Sequence, residues 1–239
     1  MSRKRILKAT EILRDSANAL SFTAPVTHVY NPLVYAWKCH KKYVEMYGGG
    51  KKKVVFVGMN PGPWGMAQTG VPFGEINAVR DWLCIEGCVD VPVIQHPKRP
   101  VDGFACKRSE VSGKRLWGLF KERFISPQRF FEEHYVANYC PLVFMEESGR
   151  NRTPDKLPVR EREKLFRICN EHLLSLIHAL NADYVIGIGN FAYTRMRDVC
   201  DDSHVRCGKI LHPSPSNPIA NKDWAGYVKR QLFELKIWA

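Results

Sequence analysis

Apolar residues in this chain fall into two patterns, short continuous runs and longer stretches with helical spacing. The runs at 53–58 and 182–189 are bounded by charged residues or glycine, which is typical of strands buried in a parallel sheet. A further strand is predicted within 134–144, ending at Asn138, and a fourth begins at residue 207 and leads into the proline-rich turn that ends at 218. Helices are predicted over 4–20, 75–86, 112–124, 160–180 and 190–200, with one more in the aromatic-rich segment after residue 30 and another that carries Trp224, Val228, Leu232 and Leu235.

Alternating strands and helices indicate an α/β protein. We expect one three-layer α/β/α domain with a four-stranded, mostly parallel sheet. The domain is predicted to span residues 1–239, with about 1–25 as an N-terminal helical extension. A chain of 239 residues suits one such domain.

Charge indicates a polyanionic partner. The formal net charge is +12 and the isoelectric point is near 9.4. Nucleic acid is the leading candidate partner, and an anionic membrane surface is the second. The basic residues are dispersed, which favours a basic face on a folded protein over a disordered tail. No apolar run approaches the 18 residues of a membrane span, so none is expected.

Eight cysteines are present, and none forms a CxxC pair. Cys84 and Cys88 are spaced CxxxC, but no second close pair completes a zinc set. Reduced thiols in an intracellular protein are the preferred interpretation. We expect no metal and no cofactor.

Polar residues follow three of the predicted strands at their carboxyl ends. Asn60 follows the first strand, Asn138 ends the second, and His212 follows the fourth. Because parallel strands end at the same edge of a sheet, these three side chains are predicted to meet there, where ligands bind in such folds.

The segment 58–75, GMNPGPWGMAQTGVPFGE, contains five glycines and three prolines. Its spacing fits neither GxGxxG nor GxxxxGK[ST], so phosphate cradling is weakly supported. Taken singly, Asn60 also fits a turn residue and His212 a capped turn before the last helix. Phe73 fits a core aromatic as well as a platform for a flat base, and the basic loop 148–162 fits a solvated surface as well as phosphate contact.

Together, GMNPGPWGMAQTGVPFGE and HPSPSNPIANKDW closely resemble the two signature motifs of the single-strand-selective monofunctional uracil-DNA glycosylases. YNPLVYAW, HPKRP, SEVSGKRLWG, ANYCPLVF and SGRNRTP resemble further family segments in the same order, over about residues 26–237. The resemblance implies a four-stranded parallel sheet between helices. It also implies hydrolysis of the N-glycosidic bond of uracil and of oxidised pyrimidines such as 5-hydroxymethyluracil, in single- and double-stranded DNA, in base excision repair.

The resemblance implies a role for each matching residue. Asn60 and His212 are the expected catalytic residues: Asn60 positions the attacking water, and His212 contacts uracil O2. Asn138 reads the base edge, and Phe73 stacks on the base. The expected substrate-binding residues are Met59, Gly62, Met66, Phe73, Asn138 and His212, with Gly62 to Met66 around the 5-substituent. The expected DNA-binding residues are Ser148, Gly149, Arg150, Asn151, Arg152, Lys156, Arg160, Pro213, Ser214, Pro215, Ser216, Asn217, Pro218, Lys222 and Trp224, of which 213–218 form a wedge that enters the duplex.

Two residues depart from the family pattern. Ser216 stands where similar vertebrate members carry Arg, which weakens the expected plug in the vacated base stack. Trp64 stands where Phe is common, which is expected to alter the floor of the pocket.

Other interpretations stay open at this point. A catalytically silent nucleic-acid-binding protein would keep the same pocket and basic face, and a small-molecule hydrolase could use the same sheet edge. We expect a monomer in the nucleus, a location that follows from the implied substrate; the basic clusters at 3–5 and 51–53 are weak signals.

Overall fold

A computed structural model describes residues 1–200 and 205–238; residues 201–204 and 239 of the predicted domain lie outside this description. The helices are α1 (Ser2–Asn18), α2 (Pro32–Tyr35), α3 (Trp37–Tyr47), α4 (Met66–Thr69), α5 (Val111–Phe124), α6 (Pro127–Glu133), α7 (Val159–Leu180), α8 (Asn190–Cys200) and α9 (Pro218–Glu234). The strands are β1 (Val26–Tyr30), β2 (Val54–Gly58), β3 (His134–Asn138), β4 (Val143–Glu146), β5 (Asn151–Arg152), β6 (Tyr184–Ile188) and β7 (Arg206–Ile210).

The main sheet has the order β3-β2-β6-β7, and each neighbouring pair is parallel. All five residues of β2 are buried, because helices cover both faces of this central strand. The predicted α/β fold with a four-stranded parallel sheet is confirmed. The four strands place their carboxyl ends along one edge, which is where the candidate site lies.

A second sheet was not predicted. Strand β1 pairs antiparallel with β4, and β4 pairs antiparallel with β5. Only the first and last residues of β1 are buried, so this strand lacks a continuous apolar run. Strand β5 has two residues, too few to produce any pattern. This small sheet holds Asn151 beside the carboxyl edge of the main sheet.

The helix predicted over 75–86 is wrong in length. Only Ala78–Trp82 forms a wide helical turn, and Cys84 has a φ of 54°, which ends it. Leu83 and Ile85 are both buried. Their apolar character therefore reflects packing of a loop against the core rather than continuation of a helix.

The N-terminal helix is an integral part of the core. Ile6, Leu13 and Ala17 of α1 are buried in the main hydrophobic cluster. Thr10 Oγ1 lies 3.3 Å from Nε2 of His172 on α7. The stretch predicted as an extension thus packs against the long helix α7 and contributes to the domain itself. Within the described part of the chain, no helix is long and apolar enough to cross a membrane.

Candidate active site

An open cavity of about 710 Å³ lies at the carboxyl ends of β2, β3 and β7. Its lining includes Asn60, predicted to position the attacking water, and Phe73, Asn138 and His212, predicted to contact the base. They come from four separate segments of the chain, so the fold brings together side chains up to 152 positions apart. The full lining is Met59, Asn60, Pro61, Gly62, Pro63, Phe73, Glu110, Ser112, Asn138, Asn151, Thr153, His212, Ser214, Ser216, Asn217 and Pro218.

Gly58, the last residue of β2, allows two of these side chains to approach the strand. It pairs in register with Asn138 on β3. A Cβ at position 58 would overlap the ring of Phe73 and would lie 2.5 Å from Asn138 Oδ1. Both side chains therefore pack over a backbone that only glycine leaves uncovered.

The orientation of the Asn60 side chain is set by a backbone carbonyl. Asn60 Nδ2 donates to the carbonyl oxygen of Leu142 at 3.0 Å. Since a carbonyl only accepts, the nitrogen of the amide must face Leu142, and Oδ1 is left for the cavity. Asn60 thereby offers a fixed acceptor to a water molecule and offers no strong base.

Phe73 is held in place by its own backbone. Its φ is 51°, an uncommon conformation for an aromatic residue, and its carbonyl accepts from Trp117 Nε1 at 3.0 Å. Its ring centroid lies 6.3 Å from that of His212, at 45°. The exposed fraction of Phe73 is 8%, so the ring forms one wall of the cavity and is largely buried behind it.

The side-chain amide of Asn138 makes one weak hydrogen bond, on the side away from the cavity. Its Nδ2 donates to the Met66 sulfur at 3.3 Å. The thioether is a poor acceptor, so it restrains the amide only lightly and leaves its hydrogen-bonding capacity for the cavity. Met66, expected to touch the substrate, does not line this cavity: it is buried in α4 and supports Asn138 from the rear. Gly62 and Met59 do line it.

His212 is neutral, and its proton position is fixed. The backbone N–H of Ser214 donates to His212 Nδ1 at 3.1 Å, so in the neutral ring the proton is on Nε2. Burial lowers the pKa of His212 to about 4. Gly189 has a φ of 92°, and a Cβ there would lie 3.1 Å from that of His212. The ring therefore presents a neutral Nε2–H donor at neutral pH.

The 213–218 loop is braced from two helices. Arg115 on α5 donates to the Pro213 carbonyl at 2.9 Å and to Asn221 Oδ1 at 2.9 Å. Asn221 on α9 in turn donates to the Pro215 carbonyl at 2.8 Å. The Ser214 and Ser216 hydroxyls lie 2.6 Å apart and bond each other. Sequence reasoning did not single out Arg115, because a surface arginine on a helix carries no signal of a contact 98 residues away.

Of the expected DNA-binding residues, the structure places most at the surface around the cavity. Exposed are Ser148, Arg150, Lys156, Arg160, Pro215, Ser216, Pro218 and Lys222, and partly exposed are Asn151, Arg152, Ser214 and Asn217. Asn151 also lines the cavity, and its Oδ1 is buried with no hydrogen-bond partner.

Three of those expectations need correction. Trp224 is 4% exposed and donates through Nε1 to the Leu211 carbonyl at 2.8 Å, so it anchors the strand end before His212 and cannot face DNA. Pro213 and Gly149 are also buried. Arg152 stays a prediction: it is partly exposed, and it donates to the Lys156 carbonyl and forms an ion pair with Glu146 at 2.9 Å.

Trp64 was expected in the pocket floor, and it does not line the cavity. It directly follows Pro63, which does, and its ring lies at the rim, where two arginines, Arg99 and Arg108, stack on it. The departure at position 64 therefore changes the surface beside the cavity rather than its floor.

Glu110 is a cavity residue that sequence reasoning missed. Its carboxyl group packs where the Cβ atoms of Gly62 and Gly65 would be, beside Gly113. Its Oε2 is enclosed and makes no hydrogen bond. Burial, with Glu75 nearby, raises the pKa of Glu110 to about 7, against a smaller opposing effect of the Gly113 N–H. In the sequence, the only notable feature of Glu110 is its position just before helix α5, which indicates a helix cap rather than a residue of a site.

We expect Glu110→Gln to stabilise the protein at high pH. The pKa of Glu110 is about 7 in the folded protein, above the ordinary value of 4.5 for this carboxyl group. Folding therefore favours the protonated acid, and the wild type loses stability as pH rises through this window. At 1.4 kcal/mol per pKa unit the difference at pH 8.5 is at most about 3 kcal/mol. Urea unfolding at pH 5, 7 and 8.5 measures it.

The matched control is Glu234→Gln, at an exposed glutamate of α9. Its effect on the free energy of unfolding should stay small and constant over the same pH range. A difference between wild type and Glu110→Gln that is independent of pH would contradict the buried, titrating carboxyl.

The described residues, 1–200 and 205–238, contain no group of three or more His, Cys, Asp or Glu side chains that could hold a metal ion. The eight cysteines all lie in the described residues, and none of them is joined in a disulfide; Cys84 and Cys88 are exposed.

Comparisons with known proteins give one consistent result. The family model described as the uracil DNA glycosylase superfamily matches residues 46–239. The rat single-strand selective monofunctional uracil-DNA glycosylase is 48% identical over 225 residues, which cover 93% of this chain and 81% of the rat protein. The mouse protein of that name is 47% identical with the same coverage. The crystal structure of wild-type SMUG2 from Pedobacter heparinus superposes with a TM-score of 0.67 at 16% identity, covering 96% of this chain and 97% of that one, a likeness of fold.

Proposed function

This chain belongs to the single-strand-selective monofunctional uracil-DNA glycosylases of the uracil-DNA glycosylase superfamily, and from that premise we propose the reaction and substrates of its site. The protein is an N-glycosyl hydrolase. Its proposed reaction is the excision of uracil and of 5-substituted uracils such as 5-hydroxymethyluracil from single- and double-stranded DNA, in base excision repair. The product is an abasic site, and the strand is not cut.

One observation carries the proposal: Asn60, Phe73, Asn138 and His212 line a single cavity. The four supply a water acceptor, a flat apolar wall, an amide and a neutral N–H donor. A base inside a duplex cannot reach such a cavity, so it must flip out, at a cost of roughly a few kcal/mol. The basic surface and the braced 213–218 loop offset that cost.

His212 acts where negative charge develops. As the bond between C1′ and N1 breaks, its electron pair stays with uracil, and charge builds on O2. The Nε2–H of His212 donates to that oxygen, and the bond strengthens in the transition state. Because the ring is neutral, it does not attract competing anions into the cavity. Because the hydrogen bond from Ser214 already fixes the proton on Nε2, the donor does not have to reorient during the reaction.

Asn60 holds the water that completes hydrolysis. Its Oδ1 accepts a hydrogen bond from the water, and the water oxygen forms the new bond to C1′. Because an amide takes no proton, most of the rate enhancement must come from stabilising the leaving uracil. The path is therefore dissociative, with positive charge on the sugar before water adds.

Asn138 selects the base. Its amide can accept from N3–H of uracil and donate to O4. Cytosine presents the reverse pattern at these two positions, so it would leave buried polar groups unpaired, which is a strong ground for rejection. No lysine is among the described residues that line the cavity, in keeping with hydrolysis without a Schiff base.

An excision assay tests the proposal. Single- and double-stranded oligonucleotides carrying uracil, 5-hydroxymethyluracil or thymine are incubated with the protein and cleaved with alkali. We expect alkali-dependent cleavage at uracil and at 5-hydroxymethyluracil, little at thymine, and an intact strand without alkali. Absence of product from uracil would leave the silent binder of nucleic acid as the better account.

We further propose a nuclear monomer. The location follows from the substrate, and the basic cluster at 3–5 lies on α1, close to the surface. The cluster at 51–53 is a poorer import signal, because Lys52 is buried and donates to the Phe131 carbonyl. Sedimentation of the purified protein and imaging of a tagged chain test the two statements.

A further inference from the structure

Two arginines stack on the ring of Trp64 at the rim of the cavity. The guanidinium carbon of Arg99 is 5.3 Å from the centroid of the Trp64 ring, and that of Arg108 is 5.0 Å. The two arginines come from segments separated by a short helical turn at Gly103–Ala105. Stacking on an indole orders each guanidinium group while keeping its charge.

The charge of this cluster is not neutralised by the protein. Across the described part of the chain, no carboxylate oxygen lies within 4.0 Å of a charged nitrogen of Arg99 or Arg108. Arg108 is exposed, and the Nε of Arg99 is buried without a hydrogen-bond partner. Two ordered cations with unused donors form a site for an anion.

The cluster is continuous with the cavity and with the basic loop. Pro63, next to Trp64, lines the cavity, as does Glu110, two residues after Arg108. On the other side, a Cβ on Gly149 would lie 3.3 Å from Lys98 Cβ. The segment that carries Arg99 therefore lies against loop 148–152. A strand whose base enters the cavity would pass this rim.

We propose that Arg99 and Arg108, which both stack on Trp64, bind a backbone phosphate of the damaged strand within three nucleotides of the flipped base. This proposal rests on the proposed function, since it needs DNA as the substrate. A phosphate contact requires no complementary strand, so the site would serve single-stranded DNA as well as duplex. The rim residues would bind and position the strand, and they would take no part in breaking the glycosidic bond.

Salt-dependent binding tests this assignment. Wild type, Arg99→Gln, Arg108→Gln and the double variant are titrated with a single-stranded oligonucleotide that carries an abasic-site analogue. Each lost phosphate contact should reduce the slope of log K against log salt concentration by about 0.7. We expect roughly 10-fold weaker binding for Arg108→Gln at low salt, as for loss of a hydrogen bond between charged groups. Under single-turnover conditions with saturating enzyme, the excision rate should not change.

Three further variants sharpen the experiment. Arg230→Gln is the matched control, because Arg230 also stacks on an aromatic ring, Tyr227 at 4.7 Å, but lies far along α9 from the cavity. Arg108→Lys keeps the charge and should keep the salt slope. Trp64→Leu keeps both arginines and removes the ring on which they stack, so its binding should weaken with little change in slope.

A neutral methylphosphonate, placed singly at each position within three nucleotides of the lesion, identifies the phosphate. At one position it should weaken binding by the wild type and have no further effect on the double variant. Free inorganic phosphate at the same ionic strength should compete poorly, which separates a DNA phosphate from a free anion.

Failure of this proposal differs from failure of the proposed function. If the wild type excises uracil and binds the oligonucleotide, but the double variant keeps the wild-type salt slope, the phosphate site is wrong. The same conclusion follows if Arg230→Gln weakens DNA binding as much as the double variant does. It also follows if the Arg99 and Arg108 variants, shown to be folded by thermal unfolding, have a lower excision rate at saturating enzyme. If the wild type neither binds nor excises, the proposed function fails first.

Discussion

Replacement of His212 by alanine is expected to lower the single-turnover rate of uracil excision about 100- to 1,000-fold, with DNA binding changed only a few-fold. Removal of one preorganised donor that faces developing negative charge typically costs this much. The loss should fall on the chemical step, because uracil O2 carries most of its charge only in the transition state. Rapid-quench measurement with enzyme in excess gives that rate directly.

Two features of His212 allow a sharper test. Burial lowers the pKa of His212 to about 4, so the ring stays neutral down to about pH 5. The pH profile of the wild-type excision rate should therefore lack an inflection near pH 6.5 that depends on His212. Such an inflection would show that the imidazolium is the donor. His178→Ala, at an exposed histidine near the end of α7, is the matched control and should retain the full rate.

Replacement of Asn60 by alanine is expected to lower the same rate at least about 100-fold. The variant loses Oδ1, the acceptor that fixes the attacking water, and small misplacements of a reactant cost rates of this size. Affinity for the abasic-site analogue should be nearly unchanged. A variant that excises uracil at the wild-type rate would rule out Asn60 as the water-holding residue.

Asn60→Ala also has a structural consequence that must be separated from its kinetic one. The Leu142 carbonyl loses its donor, and an unpaired buried carbonyl costs about 1 to 3 kcal/mol. Thermal unfolding should therefore accompany the assay, which is run well below the transition. Asn77→Ala, at an exposed asparagine, controls for a general effect of removing an amide.

The two central strands of the main sheet could be predicted because they are short apolar runs. Residues 54–58 and 184–188 are buried by helices on both faces. Asn60, Asn138 and His212 were predicted at one edge because they follow or end β2, β3 and β7 at their carboxyl ends. The edge sheet could not be predicted in this way. Its strand β1 is half exposed and β5 is two residues long, so neither has the spacing that burial imposes.

Site residues whose role depends on contacts with distant parts of the chain could not be predicted from the sequence pattern either. Glu110 meets Gly62 and Gly65 across more than 40 residues, and Trp64 meets Arg99 and Arg108. Each is an ordinary residue in its local sequence, and its significance comes from packing. The resemblance to a family supplied the role of Phe73, for which the sequence pattern alone left two readings.

The packing of α1 against α7 has a consequence for biosynthesis. Thr10 and His172, which lie 3.3 Å apart in the folded protein, are separated by 162 positions. A ribosome adding 5 to 20 residues per second needs roughly 10 to 30 s to cover that distance. During this time α1 can contact α2 and α3, as in the bond from Asn31 Nδ2 to the Arg14 carbonyl, but it lacks α7. A 17-residue helix is marginal on its own in water. The first helix to leave the ribosome is thus completed in its packing only when α7 arrives, and a nascent chain that stalls before α7 leaves part of the apolar face of α1 open to chaperones.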